Sequence, residues 1–205
     1  MGSGVAANGE GATLANAVPE LHPPPSFACV SPHIYRSGDP TRNAASFAFL
    51  DTLRLKTIVL LSIEYPSSAL AAYCERNDIE LQHFGIDRRW PTPTCMGEHS
   101  AHGAMSHSLF LSPHEINSSS VLESIIKDGL ETLLDTRFHP VLVLDTAGIF
   151  EAGTLLGCLR KMQGWNFASI LVEYRSFAGS PSPRAPARFF QGSLAARTAL
   201  NLRPD

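Results

Sequence analysis

The most constraining stretch of this sequence is a short apolar run that leads through a glycine-containing loop into a helix. Residues 140–144 form the run, residues 145–153 the loop with Gly148 and Gly153, and leucines at helical spacing follow. A continuous apolar run of this length is typical of a strand buried on both faces of a parallel sheet. Because anions bind where such a strand leads into a helix N-terminus, we predict an α/β protein with a site after Leu144.

Strand and helix patterns alternate along the rest of the sequence. Strands are predicted where short β-branched runs occur, and helices where apolar residues recur every three or four positions. The predicted strands are residues 34–37, 56–61, 79–84 and 140–144, and the predicted helices begin after Asn43, at Pro66, at Ser120, after the 145–153 loop and after Asn166. Ser120 with Glu123 forms a capping box. Gly164 and Gly179 are expected to end the last two helices.

Charge and composition exclude several classes of function. The chain has 205 residues, 44% of them hydrophobic, which predicts one globular domain. Its 16 basic and 19 acidic residues give a net charge of −3 without a basic run, so we expect neither nucleic acid nor membrane as a partner. Four widely spaced cysteines and no secretory leader pattern favour free thiols and a cytoplasmic location.

Domain boundaries follow the changes in composition. Residues 1–25, rich in small residues and proline, are predicted to be a disordered tail. A domain over residues 26–196 and a tail over 197–205 follow, and residues 87–113 form a long loop or insertion rich in Pro, Ser, Gly and His. That loop holds potential zinc ligands, but their spacing is not a common structural pattern and no metal is expected. These residues are Cys95, Glu98, His99, His102 and His107.

Two chemistries for the segment after Leu144 rest on Asp145 alone. A GTPase would use residues 145–148 as an Asp-x-x-Gly element, but the sequence contains no phosphate-binding G-x-x-x-x-G-K-[ST] motif and no Asn-Lys-x-Asp motif. An aspartyl-phosphate phosphatase would use Asp145 as nucleophile with a second Asp two residues on, where Ala147 stands. A simpler interpretation is that Asp145 caps the helix that follows.

Several blocks of sequence together resemble the atypical dual-specificity phosphatases of plants and fungi. They cover residues 34–40, 49–58, 133–143, 157–165 and 169–179, so the resemblance extends over most of the chain. It implies a cysteine-phosphatase fold, with a central, mostly parallel sheet of four or five strands flanked by helices. It also implies protein partners, related phosphatase-family proteins among them, and no cofactor.

The family resemblance places a His-Cys-x5-Arg loop directly after the strand that ends at Leu144. In such a loop the thiolate attacks phosphorus, the backbone N–H groups hold the phosphate oxygens and the Arg clamps them. Here Leu144 stands at the His position, Asp145 at the Cys position and Glu151 at the Arg position, and no Cys-x5-Arg occurs elsewhere. The residues that would keep the backbone shape of the loop are Thr146, Ala147, Gly148, Ile149, Phe150, Ala152, Gly153 and Thr154.

These substitutions predict a pseudophosphatase, a protein that keeps the fold and acts as a binding or scaffold subunit. Glu151 turns attraction for phosphate into repulsion, and Asp145 adds a negative charge without a thiolate, unless burial keeps one of the two carboxyls protonated. The alternative is residual activity on phosphotyrosine or inositol pyrophosphate that uses Asp145. Arg88 and Arg89 are possible ligand contacts. Arg36, near the sheet edge, and Arg160 with Lys161 are predicted structural or surface charges, and Trp165 and Tyr174 core residues.

Overall fold

The computed structural model describes residues 21–85 and 113–178, with side chains in the second range from residue 123. In these residues five strands form one sheet in the order β1-β2-β5-β3-β4. Their bounds are β1 Ala28–Ser31, β2 Ile34–Ser37, β3 Thr57–Leu60, β4 Glu80–His83 and β5 Val141–Leu144. β1 pairs with β2 in antiparallel fashion, and the other neighbours are parallel. The predicted α/β fold with a mostly parallel sheet is confirmed.

Helices cover both faces of the sheet. Their bounds are α1 Ala44–Asp51, α2 Ser68–Arg76, α3 Pro113–Leu134, α4 Phe150–Met162 and α5 Phe167–Ala178. One apolar core joins α3 and α4 to the side chains of Val59 and Val143, and a second joins α1 and α2 to those of Ile58 and Leu142. All four of these strand side chains are fully buried, as expected of central parallel strands.

Local side-chain bonds explain where three helices begin. The Asn43 side chain accepts a hydrogen bond from the Ala45 N–H at 3.0 Å, and the Asn166 side chain accepts one from Ser169 at 2.9 Å. Both predicted caps are confirmed. α2 begins two residues after Pro66, because the Ser67 hydroxyl accepts from the Leu70 N–H at 3.2 Å and is the N-cap.

Two local predictions were wrong. The helix predicted to begin at Ser120 begins at Pro113 and runs through Ser120, so the proposed capping box is not a helix start. Proline is well suited to the first turn of a helix, because its missing N–H has no intrahelical partner there. Trp165 is 39% exposed rather than a core residue, and its ring lies against the guanidinium of Arg160.

The sheet register brings three chain segments together at one edge. β5 lies between β2 and β3, and Leu144 is paired with both Ser37 and Leu60. Since these strands are parallel, the residues that follow them meet at their carboxyl ends, which is the usual site of ligand binding in such sheets. In the described ranges, none of the helices combines the length and the hydropathy needed to cross a membrane.

The Arg160 side chain joins α4, α5 and β1. It is 7% exposed, its Nε and Nη2 donate to the Glu173 carboxylate at 2.9 and 2.7 Å, and its Nη2 also donates to the Val30 carbonyl at 2.9 Å. The guanidinium carbon lies 4.3 Å from the centre of the Trp165 ring. Arg160 is therefore structural, as the sequence predicted.

We expect Arg160→Ala to lower the free energy of unfolding by about 3 kcal/mol, because it leaves the Glu173 carboxylate and the Val30 carbonyl without their donor. Chemical denaturation of the purified variants would measure the change. The matched control is Arg137→Ala, whose side chain is 83% exposed in its pair with Asp135 and whose loss should leave stability almost unchanged. Equal effects of the two substitutions would contradict the structural role of Arg160.

Candidate functional site

The carboxylate of Asp145, the first residue after β5, lies inside the loop that connects this strand to α4. Its Oδ1 accepts hydrogen bonds from the N–H groups of Ala147 at 2.9 Å, Gly148, and Ile149 at 3.2 Å. Its Oδ2 accepts one from the Ala152 N–H at 2.9 Å. We call these four N–H groups the loop amides. Asp145 is fully buried, so its charge is compensated by the loop amides and by the N-terminal end of α4.

The carbonyl groups of the same loop are turned away from the Asp145 carboxylate and are held by three donors from other segments. The Asp39 N–H donates to the Thr146 carbonyl at 3.4 Å, and the Ser26 hydroxyl donates to the Ala147 carbonyl at 2.9 Å. Arg36 Nη2 donates to the Gly148 carbonyl at 2.6 Å. With its carbonyls bonded on one side, the loop directs its N–H groups to the other, which is the arrangement of a backbone anion site.

Two glycines allow the loop to pass closely over the end of β2. Gly148 has φ +72°, and a Cβ there would lie 2.7 Å from the Ser37 carbonyl carbon and still closer to the Gly38 nitrogen. A Cβ on Gly38 would lie 2.8 Å from the carbonyl carbon of Ala147. The contact is therefore backbone against backbone, and both positions require glycine.

Arg36 lies beneath the loop on the strand next to the edge strand β1, and of the two roles predicted for it, structural and surface charge, it has the structural one. It belongs to β2, the second strand of the sheet, and is 2% exposed. Its guanidinium carbon lies 3.8 Å from the centre of the Phe177 ring. Burial lowers the pKa of Arg36, and the nearby Asp145 and Glu173 carboxylates oppose that shift. The guanidinium remains charged, since arginine does not lose its proton in proteins.

Glu151 lies in the first turn of α4, close to the Asp145 carboxylate. The Glu151 pKa is raised from 4.5 to about 7, first by burial and then by the negative charge of Asp145. Within residues 21–85 and 113–178, no Lys or Arg side chain forms an ion pair with it. Near neutral pH, Glu151 is therefore about half protonated. In the family pattern an arginine stands at its position, and a cysteine stands at the position of Asp145.

The other predicted loop residues support the backbone. Gly153 packs against Tyr174, whose ring would lie 2.8 Å from a Cβ at that position, and Tyr174 is a core residue as predicted. The Thr154 hydroxyl donates to the Phe150 carbonyl at 2.7 Å. Leu144 is buried in the apolar core below the loop.

Some predicted residues fall outside the described ranges. Arg88 and Arg89 lie there, as do the five potential zinc ligands at positions 95–107. In the part of the chain that is described, no three His, Cys, Asp or Glu side chains are grouped as a metal site would require.

An open cleft lies beside the loop, at the carboxyl ends of the strands. Its lining includes Asp39, Glu64, Asp145 and Leu70, and none of its described lining residues is a lysine or arginine. Tyr65, at the rim, is 76% exposed. The described part of the cleft is therefore unsuited to a polyanion, although it lies where α/β folds bind their ligands.

Comparison with known proteins identifies the family. The model of the tyrosine phosphatase family, Y_phosphatase2, matches residues 21–193. The chain belongs to the tyrosine phosphatase family. The resemblance found in the sequence to the atypical dual-specificity phosphatases of fungi and plants is thereby confirmed.

Two relatives illustrate how this family member compares in length. "Putative tyrosine-protein phosphatase OCA1" of Yarrowia lipolytica is 34% identical over 163 residues, which are 80% of this chain and 54% of that protein. "Inositol diphosphatase DSP3" of Arabidopsis thaliana is 36% identical over 160 residues, which are 78% of this chain and 65% of that protein. The chain thus spans about half to two thirds of the length of these tyrosine phosphatase family proteins.

A solved structure confirms the cysteine-phosphatase fold. The core catalytic domain of the PP-IP phosphatase SIW14 from S. cerevisiae, in complex with citrate, matches with a TM-score of 0.63 and 26% sequence identity. The match covers 89% of this chain and 96% of that one. The tyrosine phosphatase family scaffold is therefore retained around a loop whose side chains differ from the family pattern.

Arg36 and Ser26 are the contributors to the site that sequence reasoning missed. The sequence could have indicated Arg36, because it lies on the predicted strand β2 and the carboxyl ends of neighbouring parallel strands meet at one edge of a sheet. No local pattern indicated Ser26, which reaches the loop across 121 residues of sequence.

Substitution of Gly148 tests the close approach of the loop to β2. We expect Gly148→Ala to lower the free energy of unfolding by at least about 3 kcal/mol, since it adds a backbone clash to the cost of a positive φ. Gly164→Ala is the matched control, because Gly164 also has positive φ, +82°, but has open space around its Cβ position. Its expected cost is about 1 kcal/mol. Denaturant unfolding that gave the two variants equal stability would contradict the proposed packing.

Proposed function

We propose that this protein is a catalytically silent member of the tyrosine phosphatase family that acts by binding other proteins. The observation that carries the proposal is the position of the Asp145 carboxylate, which occupies the loop amides from within the chain. In the family pattern these amides hold the phosphate oxygens, and the residue at position 145 is the cysteine nucleophile. A carboxylate bonded to all four amides leaves them no capacity for an external phosphate.

Neither oxygen of Asp145 is available as a nucleophile. Oδ1 accepts three hydrogen bonds and Oδ2 one, and the residue is fully buried. A nucleophile needs an exposed lone pair aligned with the phosphorus atom. This geometry supports the silent protein over the alternative, in which Asp145 retains hydrolysis of phosphotyrosine or inositol pyrophosphate.

The negative charges of the site also disfavour the binding of phosphate. Two unit charges 4 Å apart interact by about 4 kcal/mol at an effective dielectric constant near 20. An Arg at position 151 would attract a phosphate oxygen by an energy of that order, whereas an ionised Glu151 repels it. A phosphate ligand would therefore meet the Asp145 charge, the negative charge on the ionised fraction of Glu151, whose pKa is about 7, and the cleft carboxylates of Asp39 and Glu64.

We propose that the protein acts in the cytoplasm and that it binds protein partners, related phosphatase-family proteins among them. Ile63 and Tyr65, in the segment between β3 and α2, are 55% and 76% exposed. Exposed apolar side chains beside a cleft are suited to a protein contact. The cysteines Cys29, Cys74 and Cys158 are free thiols, which is compatible with a reducing compartment.

The proposal predicts no turnover by the wild type. Purified protein would be assayed with an aryl phosphate and with an inositol pyrophosphate, the substrate class named for the relatives DSP3 and SIW14. We expect turnover at the level of the buffer alone for wild type and for Asp145→Ala. The double variant Asp145→Cys/Glu151→Arg restores the nucleophile and the clamp and should hydrolyse the aryl phosphate above that background. Wild-type turnover that disappears in Asp145→Ala would instead establish an aspartate-based phosphatase.

Removal of the internal carboxylate should open the loop to an external anion. We expect inorganic phosphate to raise the thermal unfolding midpoint of Asp145→Ala/Glu151→Gln, because the loop amides are vacant and the opposing charge is gone. The shift should be smaller in Asp145→Ala, which keeps Glu151, and absent in wild type and in Glu151→Gln, where Asp145 fills the amides. A phosphate-induced shift of equal size in wild type would contradict occupancy by Asp145.

A further inference from the structure

We infer that protonation of the pair formed by Asp145 and Glu151, here called the carboxyl pair, controls how firmly the loop is held in its conformation. While Glu151 is protonated, the Asp145 carboxylate remains bonded to the loop amides. Ionisation of Glu151 adds a second negative charge at the N-terminal end of α4 and loosens the loop. This inference goes beyond the proposed function, because it concerns the conformation of the loop and not its catalysis.

The donors of the loop can compensate one negative charge but not two, so a single proton on the carboxyl pair changes the stability of the loop. Asp145 is fully buried, and Glu151 is partly buried in the first turn of the same helix, α4. The loop amides and the N-terminal end of α4 can compensate one carboxylate. The Glu151 carboxylate has its own backbone N–H as a donor, which favours its ionised form, but it lacks the loop amides, since all four already donate to Asp145.

Among the described residues, the charged and titratable groups around the carboxyl pair do not balance the second negative charge. Arg36 from β2 is the positive group that faces Asp145 in the described residues, but its Nη2 donates to the Gly148 carbonyl. Tyr174 on α5 is the titratable group that interacts with both carboxyls. Burial raises the pKa of its phenol, and the charges of Asp145 and Glu151 raise it further. Glu173, also on α5, is paired with Arg160. Summed over the described residues, the local charge with both carboxyls ionised is therefore negative.

The direction of the pH dependence follows from the Glu151 pKa. In the folded protein this pKa is about 7, and the ordinary value is 4.5. The folded state thus binds the proton more tightly than the unfolded state. The stabilisation is fully present below about pH 4.5, decreases as the pH rises to about 7 and is absent above that. A cell interior near neutral pH lies at the upper end of this range.

The test compares the full chain with two glutamine variants. Glu151→Gln keeps a hydrogen-bond donor beside Asp145 but cannot ionise, and Glu75→Gln is the matched control, because Glu75 is exposed on α2. Thermal unfolding midpoints would be measured at pH 5 and pH 8. We expect the midpoint of wild type to fall by at least about 3 °C relative to Glu151→Gln between these values. The Glu75→Gln control should follow wild type.

A second measurement reports on the loop itself. In ¹⁵N-labelled protein, the amide resonances of Gly148 and Ala152 should titrate with a midpoint near pH 7 in wild type and should not titrate in Glu151→Gln. A merely structural Glu151 would change stability without this titration. Identical pH profiles of wild type and Glu151→Gln in both measurements would overturn the inference. Turnover assays are independent of both, so failure here and failure of the proposed function are distinguishable.

Discussion

The hydrogen bonds between the Asp145 carboxylate and the four loop amides determine the conformation on which the rest of the site depends. The buried charge is stable only while Ala147, Gly148, Ile149 and Ala152 direct their N–H groups inwards. That arrangement turns the loop carbonyls outwards, where Ser26, Arg36 and the Asp39 N–H bond them. Asp145 also accepts a hydrogen bond from the Ala152 N–H in the first turn of α4, although the N-cap residue of this helix is Ile149.

The bonds between Asp145 and the loop amides explain how this protein keeps the fold of its family while its anion site is filled from within the chain. The backbone of a phosphate-binding loop is an anion site whatever its side chains are, and here the chain supplies its own anion. The scaffold is that of the tyrosine phosphatase family, and a fold does not by itself determine an activity. Arg36, held beneath the loop against Phe177, bonds the Gly148 carbonyl, while Asp145 accepts from the Gly148 N–H, so the two residues hold the loop from opposite sides.

Elements with a strong local pattern were predictable from the sequence. The strands at residues 34–37 and 140–144 and the caps Asn43 and Asn166 were all predicted before the structure. β1 was not, because an edge strand of four residues gains its order by pairing with β2. The capping-box pattern at Ser120 and Glu123 does not mark the start of α3, because the helix already begins at Pro113. The large apolar side chain of Trp165 suggests a core position, but its ring lies against Arg160 at the surface.

Residue type and short-range periodicity are enough to indicate the α/β class, the loop after Leu144 and the replacement of the family Cys and Arg by Asp145 and Glu151. The position of the Asp145 carboxylate, the place of Arg36 under the loop and the Glu151 pKa of about 7 follow from the folded chain. These features depend on distances between β2, the loop, α4 and α5. Burial and charge act through space, and residues far apart in sequence meet only when the sheet forms.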